Sequence, residues 1–548
     1  MSAQPIRRWD QETALLAWLA AFVSLLSFLF YLRRGEILLY GDAVAHINIA
    51  RRVFDSRTPG LLQLGTVWLP LPHLLMIPFL LSNWMWKTGV GGSIPSMAAY
   101  VFGTVGIFRL VRRVLGAASE CRPMFRFTPW LAAIVYAANP NLIYLQATAM
   151  TEPLYLALFI WALVYFIEFV QECSRPVESA NPPAKSALVK CGICLAAACL
   201  TRYDGWFLAV VICVAALAVG LPANQPGLRF RLAKFILVAA AAPALWLAYN
   251  AIVYRNPLEF ANGPYSAKAI EQRTPGAFHP GSHDLPTAFS YFLKSAEVNL
   301  AAERWQKLWI LLALAGVVAS LVRKRFQGRL WPLLLLWVPV PFYALSVAYG
   351  GVPIFMPVWW PFSYYNVRYG LELLPAFAVF GALAVYFAVE LMRRRAYRFS
   401  MVAAVVIFVA ASYGLIWSAP VCLGEARVNS PGRVAVEREL ADFLKALPPD
   451  STLLMYLGEH VGALQQAGIP LRRVINEGNH RTWKQPLDRD GLWERALADP
   501  PRYADFVIAF EGDAVSTGVQ KRDLLPLAVI HASGAHQATI YRTRAPSR

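Results

Sequence analysis

Apolar runs of about 20 residues recur along this chain of 548 residues, and they restrict its fold more than any other feature. A helix of that length crosses about 30 Å of hydrocarbon. Hydrophobic residues make up 57% of the chain and charged residues only 15%, which excludes a soluble globular protein. We therefore expect an all-α polytopic membrane protein with about eleven transmembrane helices. The runs are 13–32, 95–115, 127–146, 152–171, 187–201, 205–221, 232–254, 306–322, 330–349, 370–391 and 400–419.

One further apolar stretch, 67–87, contains three prolines and a histidine. Because proline interrupts a helix, we expect this stretch to be re-entrant or to lie in the interface. If it does not cross, the basic clusters between the later runs all lie on the same side as Arg7 and Arg8. Basic residues favour the cytoplasmic side. The pattern therefore predicts a multi-pass protein of the inner (plasma) membrane, with a cytoplasmic N-terminus and a periplasmic or extracellular C-terminus.

The formal net charge of +18 could by itself indicate nucleic-acid binding. However, residues 420–548 hold 16 Lys and Arg against 15 Asp and Glu, so almost all of the excess lies in 1–419. Basic residues between transmembrane helices orient those helices and contact anionic lipid headgroups. We expect membrane lipids, and no nucleic acid, among the partners.

The sequence changes character after residue 419, where the long apolar runs end. The stretch RVAVERELADFLKAL predicts an amphipathic helix, and STLLMYL, ADFVIAF and ATIYRT predict short strands between Gly- and Pro-marked turns. We therefore expect two domains: a multi-span membrane domain over 1–419 and a small extracytoplasmic α/β domain over 420–548.

The predicted topology places the polar stretches of the membrane domain on its outer face. They are 33–94, 139–153, 201–205, 255–305 and 350–369. Several of them carry charged residues at the ends of apolar runs, where a lipid-facing surface has no use for charge. The sequence thus predicts a polar site at the outer boundary of the membrane.

Asp42 and Glu152 are the leading candidates for catalysis at that boundary. Asp42 begins DAVAHINIARRVFD, whose apolar spacing suits a helix lying in the interface, and Glu152 begins the run at 152–171. A carboxylate at a hydrophobic boundary can take a proton from an attacking hydroxyl. Either acid could instead be a helix cap or a favourable first-turn residue.

Two histidines lie near these acids in the sequence. His46 follows Asp42 by one helical turn and could orient that acid or bind phosphate, although an interface histidine explains it equally well. His73 lies in the proline-rich stretch and is a candidate for substrate binding. For His73 an interface position is the simpler explanation.

LTRYDGWF, at 200–207, is a polar turn between two apolar runs, and it contributes Arg202, Tyr203 and Asp204 as substrate-binding candidates. Arginine at the edge of the membrane is suited to a phosphate group. A local pair between Arg202 and Asp204 that closes the turn is the alternative.

PFSYYNVRYGLELLP, at 361–375, contributes Arg368, Tyr365 and Tyr369 in the same way. The arginine could bind phosphate, while the tyrosines could stack on a sugar or donate hydrogen bonds to it. An aromatic belt at the membrane interface is the alternative.

Several familiar catalytic signatures are absent from the sequence. It has no Walker loop, no GxSxG and no HExxH, and residues 1–419 have no DxD motif for a nucleotide-sugar metal site. We therefore predict no cofactor and no metal site, although Asp42 and Glu152 together could hold a divalent ion.

The order of short motifs is typical of one family. YGD opens the first outer loop, and WLPLPHLL, TEPLY, LTRYDG and VRYGLELLP follow in turn. In this order, over about 30–400, the chain resembles the GT-C superfamily of polyprenyl-phosphate-sugar glycosyltransferases. The similarity is greatest to relatives of protein O-mannosyltransferases and of aminoarabinose lipid A transferases. The family's first-loop acid falls on Asp42 and its second-loop acid on Glu152. The family often has two adjacent acids in the first loop, whereas Ala43 follows Asp42 here.

The resemblance implies an inverting transfer of a hexose or pentose from a polyprenyl phosphate to a hydroxyl on a lipid, glycan or protein acceptor. A donor with one phosphate needs no metal in this family. Asp42 would act as the base, and Arg202 or Arg368 would hold the phosphate.

Three other functions fit the same sequence features. The first is a transporter or flippase for a lipid-linked sugar, and the second is a non-catalytic envelope scaffold whose C-terminal domain binds a partner. The third is an oligosaccharyltransferase with a diphosphate donor, which the lack of a DxD motif between the second outer loop and residue 419 argues against.

Overall fold

The computed structural model describes residues 10–116, 123–174, 186–223, 225–273, 279–322, 330–458, 460–479, 491–520, 524–532, 534 and 536–543. The membrane domain is helical. Its α-helices are Gln11–Arg33 (α1), Gly41–Arg52 (α2), Leu71–Leu80 (α3), Asn83–Thr88 (α4), Val90–Leu115 (α5), Pro123–Ala137 (α6), Pro140–Gln146 (α7), Glu152–Cys173 (α8), Ala187–Cys199 (α9), Asp204–Gly220 (α10), Leu228–Tyr254 (α11), Glu259–Asn262 (α12), Ala267–Arg273 (α13), Leu285–Leu300 (α14), Glu303–Val322 (α15), Pro339–Tyr349 (α16), Leu374–Leu391 (α17) and Arg395–Trp417 (α18). In the described ranges, 3₁₀ helices accompany them at Leu61–Leu64, Trp331–Trp337 and Val367–Leu373.

Within the described ranges, eight helices are long and apolar enough to cross a membrane, so the chain is a multi-pass membrane protein. Two of these, Trp331–Tyr349 and Val367–Leu391, each join a 3₁₀ helix to the α-helix that follows it. Helices α8 and α17 are buried along most of their length. In contrast, α1, α11, α15 and α18 expose large apolar side chains, as expected of helices that face lipid.

Three of the eleven predicted runs are not among these eight helices. The run 127–146 is divided between α6 and α7, because the Asn139 side chain accepts hydrogen bonds from the backbone of Asn141 and Leu142 and so starts a new helix. Pro140 follows that cap in the position where proline is tolerated. The other two runs are α9 and α10, of 13 and 17 residues. The ambiguous stretch 67–87 holds only α3 and most of α4, and both are too short to cross 30 Å.

The C-terminal domain has the predicted α/β character. Its helices are Val421–Asn429 (α19), Pro431–Lys445 (α20), Val461–Ala467 (α21), Leu492–Ala498 (α22), Pro500–Tyr503 (α23) and Ala514–Val519 (α24), with a 3₁₀ turn at Leu471–Arg473. Its strands are Leu453–Met455 (β1), Val474–Ile475 (β2), Phe506–Phe510 (β3), Pro526–Ile530 (β4) and Ala538–Arg542 (β5). The three predicted strand segments form β1, β3 and β5, whereas β2 and β4 were not predicted.

These strands form one sheet in the order β2-β1-β3-β5-β4. The first three are parallel, and β5 runs antiparallel to both β3 and β4. Because side chains alternate along a strand, Leu453 and Met455 join the apolar core that continues into the membrane domain, while Leu454 joins a separate core on the other face.

The C-terminal domain contacts the segment between α1 and α2 through several polar bonds. Arg433 donates to the carbonyls of Leu38 and Leu39, and Arg427 pairs with Glu36 at 2.6 Å. The Tyr40 hydroxyl donates to the carbonyl of Cys422. These contacts hold α19 and α20 against the residues that precede α2, and therefore close to Asp42.

Candidate active site

Charged side chains from both domains converge where α2, α8 and α10 begin. They comprise five carboxylates and two guanidinium groups: Asp42, Glu152, Asp204, Glu372, Glu425, Arg202 and Arg368. Asp42, Glu152 and Asp204 lie in the first turns of their helices, where the helix dipole favours negative charge.

Arg368 is bound by three carboxylates from three different parts of the chain. Its Nη2 donates to Asp42 Oδ2 at 2.6 Å, its Nε to Glu152 Oε1 at 3.1 Å and its Nη1 to Glu425 Oε1 at 2.5 Å. Charge-assisted bonds of this length are the strong class of protein hydrogen bonds. Arg368 therefore connects the start of α2, the start of α8 and the C-terminal domain.

Arg202 lies beside Arg368 and shares a ligand with it. Its Nη1 donates to Glu152 Oε1 at 3.2 Å, which is the same oxygen that accepts from Arg368. Its Nε lies 3.2 Å from both Asp204 Oδ2 and Glu372 Oε1. Glu152 thus holds the two guanidinium groups next to each other.

The hydroxyl of Tyr343 contacts three members of this cluster. It accepts from Arg202 Nη2 at 2.8 Å and lies 2.9 Å from both Asp204 Oδ2 and Glu372 Oε1. One hydroxyl can donate to only one of the two carboxylates at a time. The Tyr343 ring is stacked on Phe292, with 4.7 Å between the ring centroids, which fixes its position.

The predicted tyrosines at 365 and 369 lie near the arginines. The guanidinium carbons of Arg202 and Arg368 lie 4.9 and 5.2 Å from the centroid of the Tyr369 ring. Such contacts favour a cation over the aromatic face. Tyr365 is nearer to Asp42: burial raises the pKa of Tyr365, and the Asp42 carboxylate raises it further.

His46 and His73 form a pair with each other, and neither has a hydrogen bond to Asp42. The distance from His46 Nδ1 to His73 Nε2 is 2.8 Å, and the His46 ring lies against Trp68. Burial, followed by the charges of Arg368 and Arg202, lowers the pKa of His46 to about 3. His46 is therefore neutral at physiological pH, and it lies close enough to the arginines for their charge to lower its pKa.

Tyr203 points away from the cluster. Its hydroxyl donates to the carbonyl of Val67, and its ring stacks on Phe260 at 4.8 Å. The local pair between Arg202 and Asp204 that was considered as an alternative is present. It coexists with the contact from Arg202 to Glu152, so the pair does not remove Arg202 from the cluster.

The members of the cluster differ sharply in exposure. The side chain of Asp42 is 40% exposed, whereas those of Glu152 and Glu425 are 1% and 2% exposed. Asp42 is therefore the most accessible of these three acids. The second oxygen of Glu152, Oε2, is buried and has no hydrogen-bond partner in the described structure.

Sequence reasoning missed three members of the site: Tyr343, Glu372 and Glu425. Glu372 carried a usable signal, because it is an acid inside an apolar stretch four residues after Arg368. Tyr343 lies in an apolar run where nothing distinguishes it from a core tyrosine. Glu425 lies in a short polar stretch that resembles the surface of a soluble domain.

No metal centre is evident among the residues that the structure describes, since no group of three His, Cys, Asp or Glu side chains is arranged to hold an ion. Asp42 and Glu152, the pair considered for a divalent ion, both bind the Arg368 guanidinium.

Comparison with solved structures identifies the fold. The chain matches ArnT from Cupriavidus metallidurans bound to undecaprenyl phosphate with a TM-score of 0.57 and 14% identity, over 97% of this chain and 98% of that one. The apo form of the same protein matches with a TM-score of 0.53 and 13% identity, over 95% and 98% of the two chains.

An oligosaccharyltransferase from Archaeoglobus fulgidus, in its apo form, matches with a TM-score of 0.50 and 12% identity. That match covers 92% of this chain and 70% of the archaeal one. No protein-family model matches the sequence, and no curated protein matches it. Since ArnT and the oligosaccharyltransferase are GT-C proteins, the chain has the GT-C fold.

Proposed function

We propose that this GT-C protein is an integral-membrane glycosyltransferase that moves a sugar from a polyprenyl-phosphate donor to an acceptor hydroxyl at the outer face of the inner membrane. The observation that carries the proposal is one accessible carboxylate, Asp42, bonded to an arginine that lies beside a second arginine. The likeness in fold to an ArnT that binds undecaprenyl phosphate supports the choice of a polyprenyl-linked donor.

The two guanidinium groups are suited to the phosphate of such a donor. The donor is a phosphodiester with one negative charge, and its phosphate gains a second charge when the bond to the sugar breaks. Cations that are already positioned stabilise charge that develops in this way without reorganising. Arg368 and Arg202 would therefore stabilise the leaving group, and the Glu152 oxygen they share would hold them in place.

Asp42 is the proposed base. It would accept the proton of the acceptor hydroxyl while the acceptor oxygen attacks the anomeric carbon from the side opposite the phosphate. One carbon–oxygen bond forms as the bond to the phosphate breaks, so the configuration at the anomeric carbon is inverted. The exposure of Asp42 supports this assignment, because an acceptor must reach the base from outside.

Glu152 and the histidines are assigned different tasks from Asp42. Glu152 is buried and bonded to both arginines, which favours a positioning role over direct proton transfer. Because their pair is buried and His46 stays neutral, His46 and His73 could donate a hydrogen bond to a substrate but would not supply a positive charge.

A transfer assay on the full-length protein tests the proposal. Purified protein in detergent is given radiolabelled polyprenyl-phosphate hexoses and pentoses with envelope extract as the source of acceptor. We expect one donor to be consumed, with release of polyprenyl phosphate and label in a lipid, glycan or protein fraction. The Arg427→Gln variant is the matched control, because it removes an ion pair between the domains outside the site.

The same assay separates the rival functions. Donor that binds but is never consumed, combined with its movement across reconstituted vesicles, would favour a transporter or flippase. A scaffold would bind no donor, and its function in cells would not depend on Asp42. Consumption of only a diphosphate-linked oligosaccharide would indicate an oligosaccharyltransferase.

A further inference from the structure

The C-terminal domain supplies a buried acid to the site that the mechanism above does not use. We propose that Glu425 is a positioning residue, which holds Arg368 in place when the donor phosphate displaces Asp42 from it. This inference rests on the proposed function.

Glu425 is fixed by the backbone as well as by Arg368. Its two carboxylate oxygens accept from the backbone N–H groups of Asn366 and Val367, at 3.1 and 2.9 Å, and Oε1 also accepts from Arg368. Asn366 has a φ of +54°, a conformation that is uncommon outside glycine. Glu425 therefore secures both the start of the 3₁₀ helix and the guanidinium carried on its first turn.

The three carboxylates on Arg368 are not held equally. Glu425 has its two backbone donors, and Glu152 also accepts from Arg202. Arg368 is the hydrogen-bond donor that the structure gives to the Asp42 carboxylate, which is also the most exposed of the three. An incoming phosphate that binds Arg368 would therefore replace Asp42 in preference to the other two.

This exchange would also free the base. In the structure Asp42 Oδ2 accepts a hydrogen bond from Arg368 Nη2. Once the phosphate takes its place on Arg368, that oxygen can accept a hydrogen bond from the acceptor hydroxyl instead. Donor binding would thus precede removal of the acceptor proton, and Glu425 would keep Arg368 directed at the phosphate throughout.

The Glu425→Gln variant tests this role in two separate readouts. The amide keeps the size of the side chain but removes a negative charge next to the phosphate position. We expect undecaprenyl phosphate to bind several-fold more tightly than it binds wild type, because less negative charge competes for Arg368. We also expect kcat to fall by about tenfold or more, because small misplacements of a binding group are costly in catalysis. If Glu425 only supported the fold, its replacement would not both tighten phosphate binding and slow turnover.

Glu425→Asp is the second variant, because it keeps the charge and is expected to fold even if the glutamine variant does not. Its carboxylate is one methylene shorter, so kcat should fall while the affinity for undecaprenyl phosphate stays near that of wild type. Arg427→Gln, two residues further along α19, should leave both quantities unchanged.

Two results would overturn the positioning role while wild type remains active. One is unchanged turnover in Glu425→Asp, and the other is weaker or unchanged phosphate binding in a folded Glu425→Gln. An absence of turnover in wild type on every donor would instead contradict the proposed function. The two failures are therefore distinguishable.

Discussion

Replacing Arg368 by alanine should loosen the junction between the two domains, because three carboxylates lose their shared partner. Two of them, Glu152 and Glu425, are almost completely buried. Removing one partner from a buried, hydrogen-bonded ion pair typically costs about 3–5 kcal/mol, because the remaining charge stays buried without compensation. We expect a loss of that size for Arg368→Ala, and a smaller loss for Arg368→Lys, whose ammonium keeps the charge but lacks the fork geometry.

Cys422 provides a local probe of this loosening. Its thiol is fully buried between α19 and the membrane domain, where it lies 3.3 Å from Asn299 Oδ1. A membrane-impermeant alkylating reagent reaches it only when α19 separates from the membrane domain. Since 1.4 kcal/mol corresponds to a factor of ten, a loss of about 3–5 kcal/mol should speed alkylation by a factor of roughly 10² to several thousand.

The control and the refuting result follow from the same contacts. Arg427→Gln breaks a more exposed pair and should change the alkylation rate by less than about tenfold. Adding Glu425→Gln to Arg368→Ala should recover part of the lost stability, because it removes one of the unpaired charges. This reasoning would be refuted if Cys422 in Arg368→Ala were alkylated at the wild-type rate. It would also be refuted if the stability losses of the two single variants simply added in the double variant.

Two further predictions concern pH. Burial raises the pKa of Glu437 from 4.5 to about 7, so the folded state binds more protons than the unfolded state between those pH values. The free energy of unfolding should therefore fall as pH rises from about 4.5 to 7. Thermal unfolding of Glu437→Gln from pH 5 to 8 should show no such fall. Because the pKa of His46 is about 3, His46→Asn should change the transfer rate by the same factor at every pH between 5 and 8. A step in rate near pH 6.5 that wild type shows and the variant lacks would contradict this.

The membrane architecture was predictable because lipid leaves few choices. A chain that must hydrogen-bond all its backbone groups inside hydrocarbon forms helices, and each spanning helix needs about 20 apolar residues. Runs of that length can be recognised directly in the sequence. The run at 127–146 was less predictable. Its break at Asn139 depends on a cap bond between side chain and backbone, which an apolar count does not register.

The proximity of several candidate residues was predictable for a similar reason. Glu152, Arg202 and Arg368 each lie at the end of an apolar run, Asp42 lies in the first polar stretch, and the charge pattern predicts the same face for all four. Their pairing was not predictable, because it depends on how the helices cross. His46 illustrates this limit: helical spacing suggested a contact with Asp42, but the ring bonds to His73, which lies 27 residues further along the chain.

The contact between Glu425 and Arg368 was the least predictable from the sequence. It lies outside the apolar runs, in a segment that reads as part of a separate soluble domain. Its role depends on α19 folding back over the start of α2, and no local pattern of charge or hydrophobicity encodes that contact.

The measurement that tests the central claim most directly compares donor binding with turnover in Asp42→Asn. Both are measured on purified full-length protein with the donor that wild type consumes. We predict that the variant binds the donor at least as tightly as wild type, because Arg368 loses a competing carboxylate, and that its turnover falls by about 10²–10⁴-fold. An Asp42→Asn variant that transfers sugar at a rate close to that of wild type would contradict the assignment of Asp42 as the base.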